Sequence, residues 1–282
     1  MTGSVAIVDM SAADADAAFV RTLRETGFAV LRNAPLSAER LQRMARDWCA
    51  FFARDDKWNY LAHEVPSGNT SGYIPPDVSE TAVGHDVKDL KEFFHIVPGT
   101  QMPELLQSDA RDHLRDAFDL GQQLLQWLDD RCGEVLPDAL RGTLADSLSA
   151  DDSLLRVLHY PPLKGDEPAG AVRAAAHEDI NLLTLLPVSA EPGLEVLTKA
   201  GEWEAVPGQA GDIVINAGDM LQEATSRYFP STSHRVVNPP SAEANRSRIA
   251  IPYFMAPRLD LPLSSRYTAG SYLKERLDLL AR

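Results

Sequence analysis

Apolar residues recur in two rhythms along this chain, and the rhythm changes near residue 150. Before that point the spacing is helical. Phe19 and Leu23 are four apart; Leu41, Met44, Trp48 and Phe51 follow one face; Leu114, Phe118, Leu125, Leu128 and Cys132 form a longer stripe. Such spacing gathers apolar side chains on one side of a helix, where they serve a core. Ser11-Ala12-Ala13-Asp14 resembles a capping box that opens the first helix, and Gly27 predicts its stop. The second helix is expected from Ser37, the long one from Ser108, and another from Pro137 carrying Leu140, Leu144 and Leu148. Val5 to Val8 and Phe28 to Leu31 read as short buried strands.

After residue 150 the runs shorten and turn residues separate them. Strands are expected at Leu154 to Tyr160, Leu182 to Leu186, Leu194 to Leu197, Asp212 to Asn216, His234 to Asn238 and Arg248 to Phe254. That spacing implies an antiparallel barrel or sandwich. Tyr272 to Leu280 predicts an amphipathic helix packed on the outside. Between Asn59 and Pro103 the pattern dissolves into a loop-rich stretch holding Pro66, Gly68, Gly72, Pro75, Pro76, Gly84 and Pro98, with one strand at Lys91 to Ile96. A long irregular run in a compact protein is either a functional segment or a surface connection, and both readings stay open.

Charge narrows the partners. The 282 residues carry 27 basic and 41 acidic side chains, a net charge of −14. With no Lys/Arg-rich block, nucleic acid and anionic membrane are not expected partners. Two cysteines, Cys49 and Cys132, both in helical patterns, make no disulfide framework, and a reducing cytoplasm is expected. The first residues lack a basic segment followed by an apolar run, so no signal peptide is expected, and no apolar stretch approaches the ~18 residues of a membrane span. Nothing in the sequence sets the oligomeric state.

The candidate chemistry lies in His177-Glu178-Asp179 and in His234. On an extended segment, residues two apart point to one face. If the strand of His234 returned beside the first, two imidazoles and a carboxylate would share that face. This is the facial triad of non-heme Fe(II) oxygenases. Taken alone, an H-x-D triplet arises by chance, and most lone strand histidines are core or surface residues.

The flanking residues carry more. Gly193-Leu194-Glu195-Val196, Trp203, the run Gly211 to Gln222, and Ser233-His234-Arg235-Val236 resemble the isopenicillin-N-synthase-like 2-oxoglutarate/Fe(II) oxygenases in order and spacing. His177-Glu178-Asp179 before Leu182 to Leu186 is similar to their H-x-D strand, and Gly27-Phe28 to their N-terminal region. The resemblance spans nearly the whole chain. It implies a mainly β fold with flanking helices around a double-stranded β-helix (jelly-roll, cupin-like) core. The implied divisions are an N-terminal α/β region over 1–105, connecting helices over 106–152, the jelly roll over 153–258 and a C-terminal helix over 259–282. Fe(II) would sit on His177, Asp179 and His234, with 2-oxoglutarate and O2 as co-substrates.

The family's R-x-S motif grips the far carboxylate of 2-oxoglutarate. Here Arg248-Ile249-Ala250 matches it with alanine in the serine position. Arg246-Ser247-Arg248 is a competing frame, and Arg248 is preferred because Ile249 to Phe254 aligns with the family's strand. A planar guanidinium suits the task because it forms paired charge-assisted bonds. Tyr160, before Pro161-Pro162, matches a tyrosine that reaches the keto acid; the other role open to it is a core aromatic.

The implied activity is oxidation of an unactivated C–H bond of a small metabolite, an amino-acid-derived one among the candidates. Succinate and CO2 would be released. Hydroxylation is the default outcome, desaturation and cyclisation are others, and secondary metabolism is the setting. Asp179 disfavours halogenation, since halogenating relatives lack this carboxylate. The substrate-side candidates are Tyr73, Lys91, Phe94, His95, Leu183 and Phe254. Lys91 and His95 suit a substrate carboxylate or, equally, a solvated strand. Two rivals are a 2-oxoglutarate-independent iron oxidase of the isopenicillin N synthase type, and a non-catalytic jelly-roll binding protein.

Overall fold

The first strand of the chain finds its partner beyond the first helix. A computed structural model describes residues 4–65, 69–78, 87–242 and 244–280. Pro66, Gly68 and Gly84 of the loop-rich stretch lie outside the described residues. β1 (Ile7–Asp9) pairs in parallel with β2 (Phe28–Arg32), and α1 (Ala15–Thr26) makes the crossover. Gly27 ends α1 with φ of 75°, where an added Cβ would lie 2.4 Å from the Pro230 carbonyl oxygen. The expected capping box does not form: the Ser11 hydroxyl donates to Asp9, and Asp14 caps without a side-chain bond. Ser37 does cap α2 (Ala38–Phe52), accepting from the Arg40 N–H.

β3 (His63–Glu64), β4 (Thr70–Ile74) and β5 (Glu92–Ile96) follow as an antiparallel run. α3 (Glu104–Cys132) starts before Ser108 and spans 29 residues. The helix expected from Pro137 is replaced by turns and a short 3-10 segment, Ala145–Ser147. Gly142 takes φ of 72°, and the N–H groups of Gly142, Leu144 and Ala145 donate to the buried Asp129 carboxylate instead of building a helical ladder. Leu140, Leu144 and Leu148 still pack in the core.

The remaining strands are β6 (Leu154–Tyr160), β7 (Ala174–His177), β8 (Leu183–Pro187), β9 (Leu194–Leu197), β10 (Trp203–Ala205), β11 (Ile213–Ala217), β12 (His234–Val236), β13 (Arg248–Ala250) and β14 (Tyr253–Met255). α4 (Asp219–Ala224) precedes β12, and α5 (Ala269–Leu280) closes the chain. The larger sheet runs β1-β2-β11-β8-β14-β6-β5-β4-β3, with β13 also on β6; the smaller runs β10-β9-β12-β7. Together they form the jelly roll expected from the sequence. The single strand expected from Arg248 to Phe254 is two strands. Pro252 has no N–H to give a ladder, and β13 and β14 bond opposite ends of β6 on either side of it.

Alternation along β6 divides the interior. Leu155 and Val157 join α2 and α3 in the main core beside Trp48, Phe51 and Leu124. Leu158 and Tyr160 face the other way, into a cluster between the sheets with Phe93, Ala174, Val236 and Ala250. That inner space is where the strands deliver the chemistry-bearing side chains. Among the described residues, no helix is long and apolar enough to cross a membrane.

Candidate active site

The register of β7 and β12 sets His177 opposite His234. It then shifts before Val236, a bulge that re-aims side chains at a strand end. Asp179 is not on the strand as expected. β7 stops at His177, and the turn beyond it brings the carboxylate beneath both rings. Asp179 Oδ1 lies 3.9 Å from His177 Nε2 and 3.8 Å from His234 Nε2. The imidazole centroids are 4.4 Å apart, and one ligand atom from each of the three residues falls within 4.8 Å of the others.

What each side chain touches elsewhere fixes which atom is free. His177 Nδ1 is 2.7 Å from the Ala175 carbonyl oxygen, and His234 Nδ1 is 3.2 Å from that of Thr232. A carbonyl only accepts, so both Nδ1 atoms carry the proton and both Nε2 atoms keep a lone pair. Asp179 Oδ2 accepts from Thr184 Oγ1 at 2.5 Å and from Asn216 Nδ2 at 2.8 Å, which turns Oδ1 toward the rings. The Thr184 hydroxyl accepts in turn from Asn181 Nδ2 at 2.8 Å. Two neutral imidazoles and one carboxylate converging from one side fit Fe(II) with open positions. The charges agree with this. Desolvation, then His234, holds His177 below its ordinary value, against the pull of Asp179. Desolvation would raise Asp179, but the two imidazoles and the Asn216 and Thr184 donors bring it below the usual carboxylate range.

Arg248 and Tyr160 come together deeper between the sheets. They are register partners on β13 and β6, with the guanidinium 5.2 Å from the Tyr160 ring centroid. Arg248 Nε donates to the Glu191 carbonyl at 3.1 Å, while its Nη1 is buried without a hydrogen-bond partner. Burial lowers the Arg248 pKa, with Tyr160 opposing. Ala174 of β7 and Val236 of β12 share the inner cluster with Tyr160, but neither Arg248 nor Tyr160 lines the cavity at His177 and Asp179.

A cavity of about 350 Å³ opens on His177, Glu178 and Asp179. Of the substrate-side candidates, Lys91, His95 and Phe254 line it. Tyr73, Phe94 and Leu183 do not. All three belong to the main core, on the opposite strand faces. Phe94 neighbours the inward-facing Phe93 and His95, and Leu183 neighbours the inward-facing Thr184, so alternation excludes them from the inner wall. The Tyr73 hydroxyl instead donates to buried Glu92 at 2.5 Å. Lys91 is not a solvated strand residue: it is buried, and its Nζ lies 2.7 Å from Asp89 Oδ2. His95 accepts from Arg156 Nε at 2.8 Å. α5 does more than pack outside, since Leu273 and Leu277 line the cavity.

The residues missed by sequence reasoning are Arg156, Asn181, Thr184, Asn216 and Arg173. A polar residue inside an apolar strand, as in Ile213-Val214-Ile215-Asn216-Ala217, was the available signal for Asn216.

The model of the 2OG-Fe(II) oxygenase superfamily matches residues 151–257. A candidate oxygenase from Shewanella oneidensis is 42% identical, with a TM-score of 0.85 over 99% of both chains. The chain belongs to the 2OG-Fe(II) oxygenase family. A second solved member of the family, from Caulobacter crescentus, is 31% identical, with a TM-score of 0.77 over 98% of this chain and 99% of that one. Proline hydroxylase buaE of Petromyces alliaceus is 29% identical over 281 residues, 92% of this chain and 87% of its own. As a member of this family the protein is an oxidoreductase that needs Fe(II), 2-oxoglutarate and O2.

Proposed function

We propose that the chain hydroxylates an unactivated C–H bond of a small, zwitterionic, amino-acid-derived metabolite. Fe(II) would be held by His177, Asp179 and His234, and the far carboxylate of 2-oxoglutarate by Arg248. The convergence of three ligand atoms within 4.8 Å, two of their residues lining a cavity, carries this reading. When bound, the iron and 2-oxoglutarate supply the oxidising power, with succinate and CO2 as co-products. The protein's part is to hold and to exclude. Leu154, Ile180, Met220, Phe254, Leu273 and Leu277 make an apolar wall that keeps water from the reacting carbon. The lining also carries charges of both signs: Arg156, Asp152 and Glu178, with the Lys91–Asp89 ion pair. A lining that carries both signs suits a molecule that carries both, and the volume suits a small one. The proline hydroxylase relative supports the same substrate class.

The test is anaerobic loading with Fe(II), then O2, 2-oxoglutarate and a panel of amino acids and their derivatives, with succinate and product masses followed. A product 16 mass units above one panel member, formed only with 2-oxoglutarate, is expected (one added oxygen). Oxygen uptake without 2-oxoglutarate would favour the oxidase reading. Unchanged succinate release in His177→Ala would remove the assigned metal site.

A further inference from the structure

We propose that Arg173 is a second guanidinium of the 2-oxoglutarate anchor, holding the far carboxylate jointly with Arg248. This rests on the reading that Arg248 is that anchor.

Arg173 immediately precedes β7 and is 1% exposed. Its backbone is pinned: the N–H donates to Asn238 Oδ1 at 3.0 Å, and Asn238 Nδ2 donates to the Ala171 carbonyl at 2.8 Å. The side chain reaches the segment before β13, where Nη2 donates to the Arg246 carbonyl at 2.6 Å. Arg246 is two residues before Arg248, and the Arg173 and Arg248 charges are close enough to repel each other. Each keeps one buried nitrogen without a hydrogen-bond partner, Nε of Arg173 and Nη1 of Arg248. Among the described residues, no carboxylate lies within ion-pair distance of either. A buried charge is strongly disfavoured unless paired, and two adjoining like charges more so. Burial, then the Arg248 charge, lowers the Arg173 pKa, with Tyr160 and Glu191 opposing.

A carboxylate answers both needs, since its two oxygens offer about four acceptor sites. It also explains Ala250. The hydroxyl expected two residues after Arg248 is absent, and Arg173 brings N–H donors to the same end of the ligand from another strand. The pair would demand a full negative charge there, so the co-substrate is a dicarboxylic 2-oxo acid and not a monocarboxylic one.

Anaerobic calorimetric titration of the Fe(II)-loaded full chain separates the possibilities. The two ligands are 2-oxoglutarate and 2-oxopentanoate, which has a methyl where 2-oxoglutarate has its far carboxylate. Arg173→Met is expected to weaken 2-oxoglutarate about 10- to 100-fold, as loss of a charge-assisted pair does. It should leave the Kd of 2-oxopentanoate and of Fe(II) within about threefold, with Ala250→Ser recovering part of the loss. Arg173→Lys, which keeps the buried charge, replaces Arg173→Met if the latter does not fold; it should show a smaller loss of the same selectivity. If Arg173 variants bind 2-oxoglutarate as the parent does while Arg248→Met does not, this inference falls and the anchor reading stands. Equal weakening of both ligands makes Arg173 a packing residue and also overturns it. If Arg248→Met retains the parent affinity, the anchor reading fails.

Discussion

Replacing Asn216 with leucine, a residue of similar size and no donor, tests how the carboxylate of the triad is aimed. Asp179 Oδ2 has two donors, Asn216 Nδ2 at 2.8 Å and Thr184 Oγ1 at 2.5 Å, and these hold Oδ1 toward His177 and His234. Hydrogen bonds to a charged acceptor contribute about 1.5–3 kcal/mol each. Loss of one frees the carboxylate to rotate, and outer-shell partners of this kind typically change metal affinity about 10- to 100-fold. Asn216→Leu is therefore expected to raise the Fe(II) Kd by about that factor. Thr184→Val should do the same. The double variant should fall short of the product, because both donors serve one oxygen atom and cannot act independently. The assay is anaerobic Fe(II) titration of each variant, with circular dichroism confirming that it is folded. A folded double variant with Fe(II) affinity within about threefold of the parent would refute the reasoning.

Three further outcomes are expected. Buried Glu92 accepts from Lys57 Nζ at 2.8 Å and from Tyr73, and bonds His159 Nδ1 at 2.8 Å. Glu92→Gln should destabilise by about 3–5 kcal/mol in urea unfolding, and Glu92→Leu combined with Lys57→Met by less, since the second change removes the stranded charge. His113 is buried, and desolvation pushes it down from 6.5 to about 4, so the unfolded chain takes up the proton first as the pH falls. The His113 contribution to stability should fall by about 2 kcal/mol between pH 7 and pH 5, and His113→Leu should make that part of the profile shallower. Arg276 of α5 lies 2.7 Å from buried Asp219. Arg276→Met should loosen the helix that carries Leu273 and Leu277, raising KM for substrate severalfold with the 2-oxoglutarate Kd unchanged.

The triad was legible in the sequence because iron chemistry restricts both residue type and spacing. Imidazole and carboxylate side chains in H-x-D, followed by a distant histidine in a β-rich run, leave few other arrangements. The jelly roll was legible for a related reason, since short apolar runs divided by turns can bury themselves only by stacking sheets. The failures share a different cause. Asn216 and Thr184 are ordinary polar residues whose role appears only when the pairing of β8 with β11 brings them under Asp179, where Asn181 joins through the Thr184 hydroxyl. The Pro137 segment has helical leucine spacing, but three of its N–H groups had a better acceptor in Asp129, fifteen residues away along the chain from Leu144. On the substrate side, Phe94 and His95 cannot both face inward, because alternation lets only one of two adjacent strand residues face the cavity. Arg173 is the hardest case. Nothing in Ala171-Val172-Arg173-Ala174 marks a ligand; its meaning comes from a like charge 75 positions away, with no carboxylate at ion-pair distance among the described residues. Local pattern therefore locates the three side chains that could hold a metal, and only the assembled sheets bring out the buried arginines proposed to hold the anion.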